Sequence, residues 1–226
     1  MIKCMEKSVR TVTALKAQKN NPQRINVFLD GQFAFGLSRL VAAWLQVGQT
    51  LTEERLEQLL QEDRRESLYQ RALRYLSFRP RSEQEMRLYL LRHEQDEQVR
   101  ELVLERLKEN GWLDDGRFAA QWVENRAAFR PRGKKALAFE LKQRGVQAAT
   151  IEQAVQELDE EEMAYQAAQK VLERYKNLDR QTFRRKLYDL LIRRGFSYEV
   201  VLPTIHRCWQ ENHQNTGIEQ EDVKDG

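Results

Sequence analysis

Two five-residue phrases hold the residues best suited to chemistry. Phe78-Arg79-Pro80-Arg81-Ser82 returns 51 positions later as Phe129-Arg130-Pro131-Arg132-Gly133, in a chain with only four prolines. Each phrase sets two arginines beside a proline that cannot extend a helix and that pushes its predecessor out of helical conformation. Ser82 and Glu85 form a capping box that opens the next helix, and Gly133 is a tolerated cap in the second copy. The phrase is therefore first a corner between helices. Arginines at an exposed corner, next to a helix N-terminus, also suit phosphate or carboxylate.

Other chemistry finds little support. His93, His206 and His213 are scattered, with no Asp or Cys at ligand spacing, so no metal or cofactor is expected. No Walker-type glycine loop occurs; Gly111, Gly116, Gly133 and Gly145 read as helix stops and turns. Asp114-Asp115 resembles a catalytic carboxylate pair, but Asp115 at the mouth of a helix reads better as its N-cap. The run Glu157–Glu162 reads as a solvated bridge between repeats. Trp44, Trp122 and Trp209 lie on apolar faces and are expected in cores, with Trp112 packing one repeat on the next. Cys4 and Cys208 suit two reduced thiols rather than a disulfide framework. The sequence makes no case for an enzyme.

Charge is uneven. The net formal charge is +3, yet residues 126–145 carry +6, residues 170–194 carry +6, and residues 211–226 carry −4. Such asymmetry points to a polyanionic partner. No apolar run approaches the roughly 18 residues of a membrane span. No secretory leader is expected from MIKCMEKSVR, so a cytoplasmic chain is.

The elements that must carry these residues differ along the chain. Short β-prone runs at about 10–18, 24–30 and 32–36, with the hairpin signal Asp30-Gly31, predict three strands lying on a helix over Leu37 to Leu45. Thr52 followed by Glu53 and Glu54 predicts a helix start. From there to about Gln210 the apolar period is helical and repeats. Tyr69, Ala72, Leu73 and Leu76 before the first corner match Phe118, Ala119, Trp122 and Val123 before the second. "LKQRGV" at 141–146 matches "LIRRGF" at 191–196. A third copy turns on Asn177 and Asp179 without proline. Self-similarity at 47 to 51 residues predicts a mainly α chain. It is a tandem array of three three-helix, helix-turn-helix-like repeats, elongated, preceded by a small β-hairpin and helix element. The expected boundaries are 1–60, 61–115, 116–162, 163–212 and an acidic mobile tail at 213–226. Pro203 is expected to kink the last helix.

"GWLDDGRFAAQWVENRA" at 111–127, "RPRSEQEMRLYL" at 79–90 and "RGKKALAFELKQRGV" at 132–146 resemble the signature segments of the RecX family, in order and spacing. "RINVFLDGQFAFGLS" at 24–38 resembles the longer form with an N-terminal extension. One departure is Arg92-His93-Glu94, where the family often has a Lys-Gly stop. The resemblance implies a curved, non-catalytic protein lying in the groove of the RecA filament on single-stranded DNA. There it would hinder ATP turnover, strand exchange, co-protease action or filament growth, as a monomer. The surface expected to meet the filament, and through it the DNA backbone, comprises Arg79, Arg81, Arg130, Arg132, Lys134, Lys135, Arg144, Arg184, Arg185, Lys186, Arg193 and Arg194. The competing readings are a helix-turn-helix array that reads duplex DNA directly and a helical-repeat adaptor for acidic protein.

Overall fold

A computed structural model describes residues 9–218. Cys4 and residues 219–226 of the acidic tail lie outside the described residues. Four strands open the described residues: β1 (Val9–Gln18), β2 (Asn21–Leu29), β3 (Gln32–Ser38) and β4 (Thr50–Thr52). They form one antiparallel sheet in the order β3-β2-β1-β4. Asp30 and Gly31 take positive φ, 50° and 83°, as a tight hairpin between twisted strands requires. The fourth strand departs from the expected three. It pairs only Val9–Thr11 of β1 with Thr50–Thr52, too short a run to show alternation.

The helix expected over Leu37 to Leu45 is a single turn, α1 (Arg39–Ala42). Leu37 and Ser38 belong to β3, and Val41, Ala42 and Leu45 take the inward positions. Trp44 is consequently turned outward and 82% exposed, not in a core. Helix α2 (Glu53–Phe78) starts on Thr52, whose hydroxyl accepts from Arg55 N. Asp63 on α2 accepts from Arg24 Nη2 at 2.9 Å and from Ser38 N, tying the sheet to that helix.

Eight more helices follow: α3 (Glu83–Leu91), α4 (Glu97–Glu109), α5 (Asp115–Phe129), α6 (Lys134–Gln143), α7 (Ala148–Gln156), α8 (Glu160–Tyr175), α9 (Arg180–Arg193) and α10 (Tyr198–Ile218). Three three-helix groups thus follow the sheet: the C-terminal part of α2 with α3 and α4, then α5–α7, then α8–α10. Helix α3 ends at Leu91 without a glycine, the turn being closed by His93 N and Glu94 N on Leu90 O. Pro203 lies inside α10, which continues to Ile218.

The described residues gather into two compact units. The first holds the sheet, α1, α2, most of α3 and α4. Val12, Val27, Leu37, Leu51 and Leu59 form one of its cores; Ala72, Met86, Leu90, Leu104 and Leu107 lie in another. Burying side chains of this size stabilises by about 1.5–3 kcal/mol each. The second unit holds Ser82–Glu85 and the described residues from Asp114 on. A single core runs through it, with Phe118, Leu137, Leu141, Phe183, Leu187 and Leu191 all buried.

Within the second unit the start of one repeat's middle helix meets the next repeat in the same way twice. Ser82 Oγ donates to Arg144 O at 2.6 Å, and Glu83 N donates to Asp115 Oδ1 at 2.8 Å. One repeat later, Gly133 N donates to Arg194 O at 2.9 Å, and Lys134 N donates to Glu160 Oε1 at 3.0 Å. Backbone approaches so closely here that a Cβ on Gly133 would stand 2.1 Å from Gly195 O. Glycine at 133 is therefore required by space, beyond its role as a cap.

Candidate functional site

Both corners form as expected. Arg79 and Arg130 leave the helical region, at φ −168° and −143°, because a proline follows each. The capping box closes with Glu85 N on Ser82 Oγ at 3.2 Å and Ser82 N on Glu85 Oε2 at 3.3 Å. The helix N-termini beside the arginines are not open to an external anion. Asp115 and Glu160 already supply a carboxylate to Glu83 N and Lys134 N. This corrects two expectations. Asp114, not Asp115, caps α5, accepting from Arg117 N at 3.0 Å. Glu160 and Asp159 are not a mere solvated run, since Asp159 caps α8 by accepting from Glu162 N.

The candidate cations divide by what they touch. Arg132 Nη1 lies 2.9 Å from Glu140 Oε1, and Arg126 Nε lies 2.8 Å from Glu140 Oε2. Glu140 also accepts from Trp122 Nε1 at 2.8 Å and is 9% exposed, so its charge is matched internally. Arg144 stacks 3.7 Å from the centre of the Trp122 ring, and its Nη1 donates to Glu140 O. Lys134 Nζ donates to Gln156 O at 3.0 Å. Arg194 sits close enough to Arg132 to feel its charge, and burial foremost, then Arg132, lowers its pKa. Arg193 Nε donates to Asp189 O at 3.1 Å. In the first unit, Arg79 Nη1 donates to Pro80 O and Arg81 lies 3.9 Å from the Tyr75 ring centre, itself stacked on Tyr89 at 4.0 Å. These residues brace corners, helix ends and helix faces.

A second group turns to solvent. Arg130, Lys135, Arg184 and Arg185 are exposed and form no ion pair among the described residues. Lys186 is exposed beside the Tyr175 ring, 5.7 Å from its centre. Arg184, Arg185 and Lys186 follow one another on the second turn of α9. Sequence reasoning missed Glu140, the acid that claims Arg132. It also missed Tyr75, on which Arg81 is stacked. A carboxylate eight residues from the corner it neutralises carries no local signature.

Trp122 and Trp209 pack against the core of the second unit, while Trp112 is 56% exposed. Cys208 is buried, and desolvation pushes its thiol up to about 12. Among the described residues no group of three or more acids, histidines and cysteines is placed to hold a metal ion, and no helix is long and apolar enough to cross a membrane.

Comparison with known proteins agrees with this geometry. The pattern of the RecX N-terminal domain matches residues 10–52, and those of the first, second and third RecX three-helix domains match residues 69–107, 114–155 and 159–203. Regulatory protein RecX of Bacillus licheniformis is 32% identical over 215 residues, covering 93% of this chain and 81% of that one. Its namesake in Bacillus subtilis is 29% identical over 210 residues, covering 91% and 80%. A crystal structure of regulatory protein RecX superposes with a TM-score of 0.68 at 27% identity, over 84% of this chain and 96% of that one. A second, of RecX from Lactobacillus salivarius, shares the fold with a TM-score of 0.59 at 22% identity, over 65% and 97%. With four domain patterns in order along it and relatives that match most of its length, the chain belongs to the RecX family of regulatory proteins.

Proposed function

We propose that this chain regulates the RecA recombinase by lying in the groove of the filament that RecA forms on single-stranded DNA, where it restrains ATP turnover, strand exchange, co-protease action and filament growth. It acts without catalysis, as a monomer in the cytoplasm. The observation that carries this reading is the exposed set Arg130, Lys135, Arg184 and Arg185, four cations left without an internal acid. A chain that ties Arg126 and Arg132 to one buried carboxylate, and leaves these four in water, presents charge to something else. The partner is anionic, and a nucleoprotein filament offers acids and phosphates at regular intervals to a protein built of regular repeats. Each contact that reaches the DNA backbone adds about 0.7 to the salt slope of binding.

The direct test is ATP hydrolysis by RecA on single-stranded DNA, with and without this protein. Slower hydrolysis, weakening as salt rises, is the expected result. Unchanged hydrolysis, together with sequence-specific protection of duplex DNA, would favour the helix-turn-helix reading instead.

A further inference from the structure

The joint that closes the second repeat has an open counterpart in the third. Shifting by 50 residues superposes Leu137 on Leu187, Leu141 on Leu191, Ile151 on Val201 and Val155 on Ile205, all apolar and turned inward. The same shift places Gly133-Lys134 on Phe183-Arg184 and Gln156 on His206. It places Asp159-Glu160, the acidic start of α8, on Trp209-Gln210. In the second repeat this place is filled: Glu160 reaches Lys134 N, Lys134 Nζ reaches Gln156 O, and Arg194 O takes Gly133 N. In the third, α10 runs unbroken through Trp209 and Gln210, and no helix start falls there. What lies there is a cavity of about 490 Å³.

Its chemistry is mixed in a specific way. Phe183, Leu202, Pro203 and Trp209 give it apolar walls; Arg180, Arg184 and His206 line it as well, with Arg207, which is already held by Glu211 at 3.0 Å. The amides that open α9 are already satisfied, since Asp179 accepts from Gln181 N and Thr182 N at 3.0 Å each. An occupant therefore has nothing to offer the helix end. It would meet two guanidiniums outside any ion pair among the described residues, Arg180 and Arg184, and an apolar recess.

We infer that this cavity docks an acidic polypeptide segment of the filament protein, with an apolar side chain in the recess and carboxylates on Arg180 and Arg184. The inference rests on the filament reading above. The internal counterpart argues for polypeptide, because acid-led protein fills the equivalent place. Charge argues the same way, since Arg180 and Arg184 line the cavity and neither is in an ion pair among the described residues. A second copy of this chain does not fit as occupant. Its first repeat has no helix start to present, being continuous with α2, and α3 is followed by Arg92-His93 without the Arg-Gly of Arg144-Gly145 and Arg194-Gly195.

The test places the photo-crosslinking residue p-benzoylphenylalanine at His206 of the full chain, with Lys135 as a second position, and irradiates the chain sedimented with RecA on single-stranded DNA. The expected His206 adduct maps to a stretch of RecA rich in Asp and Glu. It falls at least fivefold in R180E/R184E, whose unfolding midpoint matches the parent. Four results in a chain that does sediment overturn the inference while leaving the filament reading intact. They are an adduct with DNA alone, with residues 219–226 of the same chain, with a second copy, or no His206 adduct. Failure to sediment at all removes the filament reading, and this inference with it.

Discussion

The second and third repeats place cations at the same positions and use them differently. Lys134 opens α6 inside a closed joint, its amide on Glu160 and its ammonium on Gln156 O. Arg184, 50 residues later, stands exposed at a cavity. Arg132 is held by Glu140, and at the corresponding place the third repeat has Thr182 and no cation. The difference teaches that a run of basic residues is two populations. One population neutralises buried acids and braces the fold. The other is left over, and only the leftover cations are available to a partner.

The sharpest way to break the comparison is at the closed joint. Gly133→Ala puts a Cβ 2.1 Å from Gly195 O, backbone against backbone, and is expected to cost about 3 kcal/mol in urea unfolding. A loss under about 1 kcal/mol would mean the joint yields easily. Glu140→Ala leaves Arg126, Arg132 and Trp122 without their shared acceptor. A fully buried pair broken this way loses about 3–5 kcal/mol, and partial exposure of both arginines lowers the expectation to about 2 kcal/mol. Asp115→Ala removes the acceptor of Glu83 N while the Ser82–Glu85 box stays, an effect of about 1 kcal/mol. Arg184→Ala with Arg185→Ala, by contrast, is expected to shift stability by less than about 0.5 kcal/mol. Thermal unfolding of the four variants side by side orders them.

Cys208 gives a smaller, chemical check. Its thiol is raised by burial to about 12, so thiolate is scarce near neutral pH and thiol reagents should attack only after unfolding. The stabilisation from keeping the thiol neutral is complete below the ordinary thiol range and is lost as pH rises from about 9 towards about 12. Rapid labelling of the folded chain at this cysteine would contradict its burial.

Much of the fold was legible because its signals are local. Asp30-Gly31 made the hairpin, Ser82 and Glu85 closed their box, and the prolines turned both corners within five residues of themselves. The apolar spacing of Leu137, Leu141, Leu187 and Leu191 marked the buried faces. The errors lie where a partner is remote. Strand β4 is three residues long and exists only through pairing with β1. Trp44 lies just past the single turn α1, and the inward positions belong to its neighbours Val41, Ala42 and Leu45. Asp115 and Glu160 cap helices 32 and 26 residues away, so no nearby pattern separated them from ordinary surface acids. The candidate site suffered the same way. Its cations were all visible, but Glu140 and Trp122 decide which of them face a partner, and only packing brings those two to the corner.

The central claim is that the leftover cations, not the bracing ones, meet the filament. Inhibition of RecA ATP hydrolysis on single-stranded DNA by R130A/K135A/R184A/R185A tests it most directly. The account predicts that half-inhibition needs at least about tenfold more protein, the counterpart of about 1.4 kcal/mol of lost binding, with helicity and unfolding midpoint unchanged. Equal inhibition by the parent and this variant would contradict it.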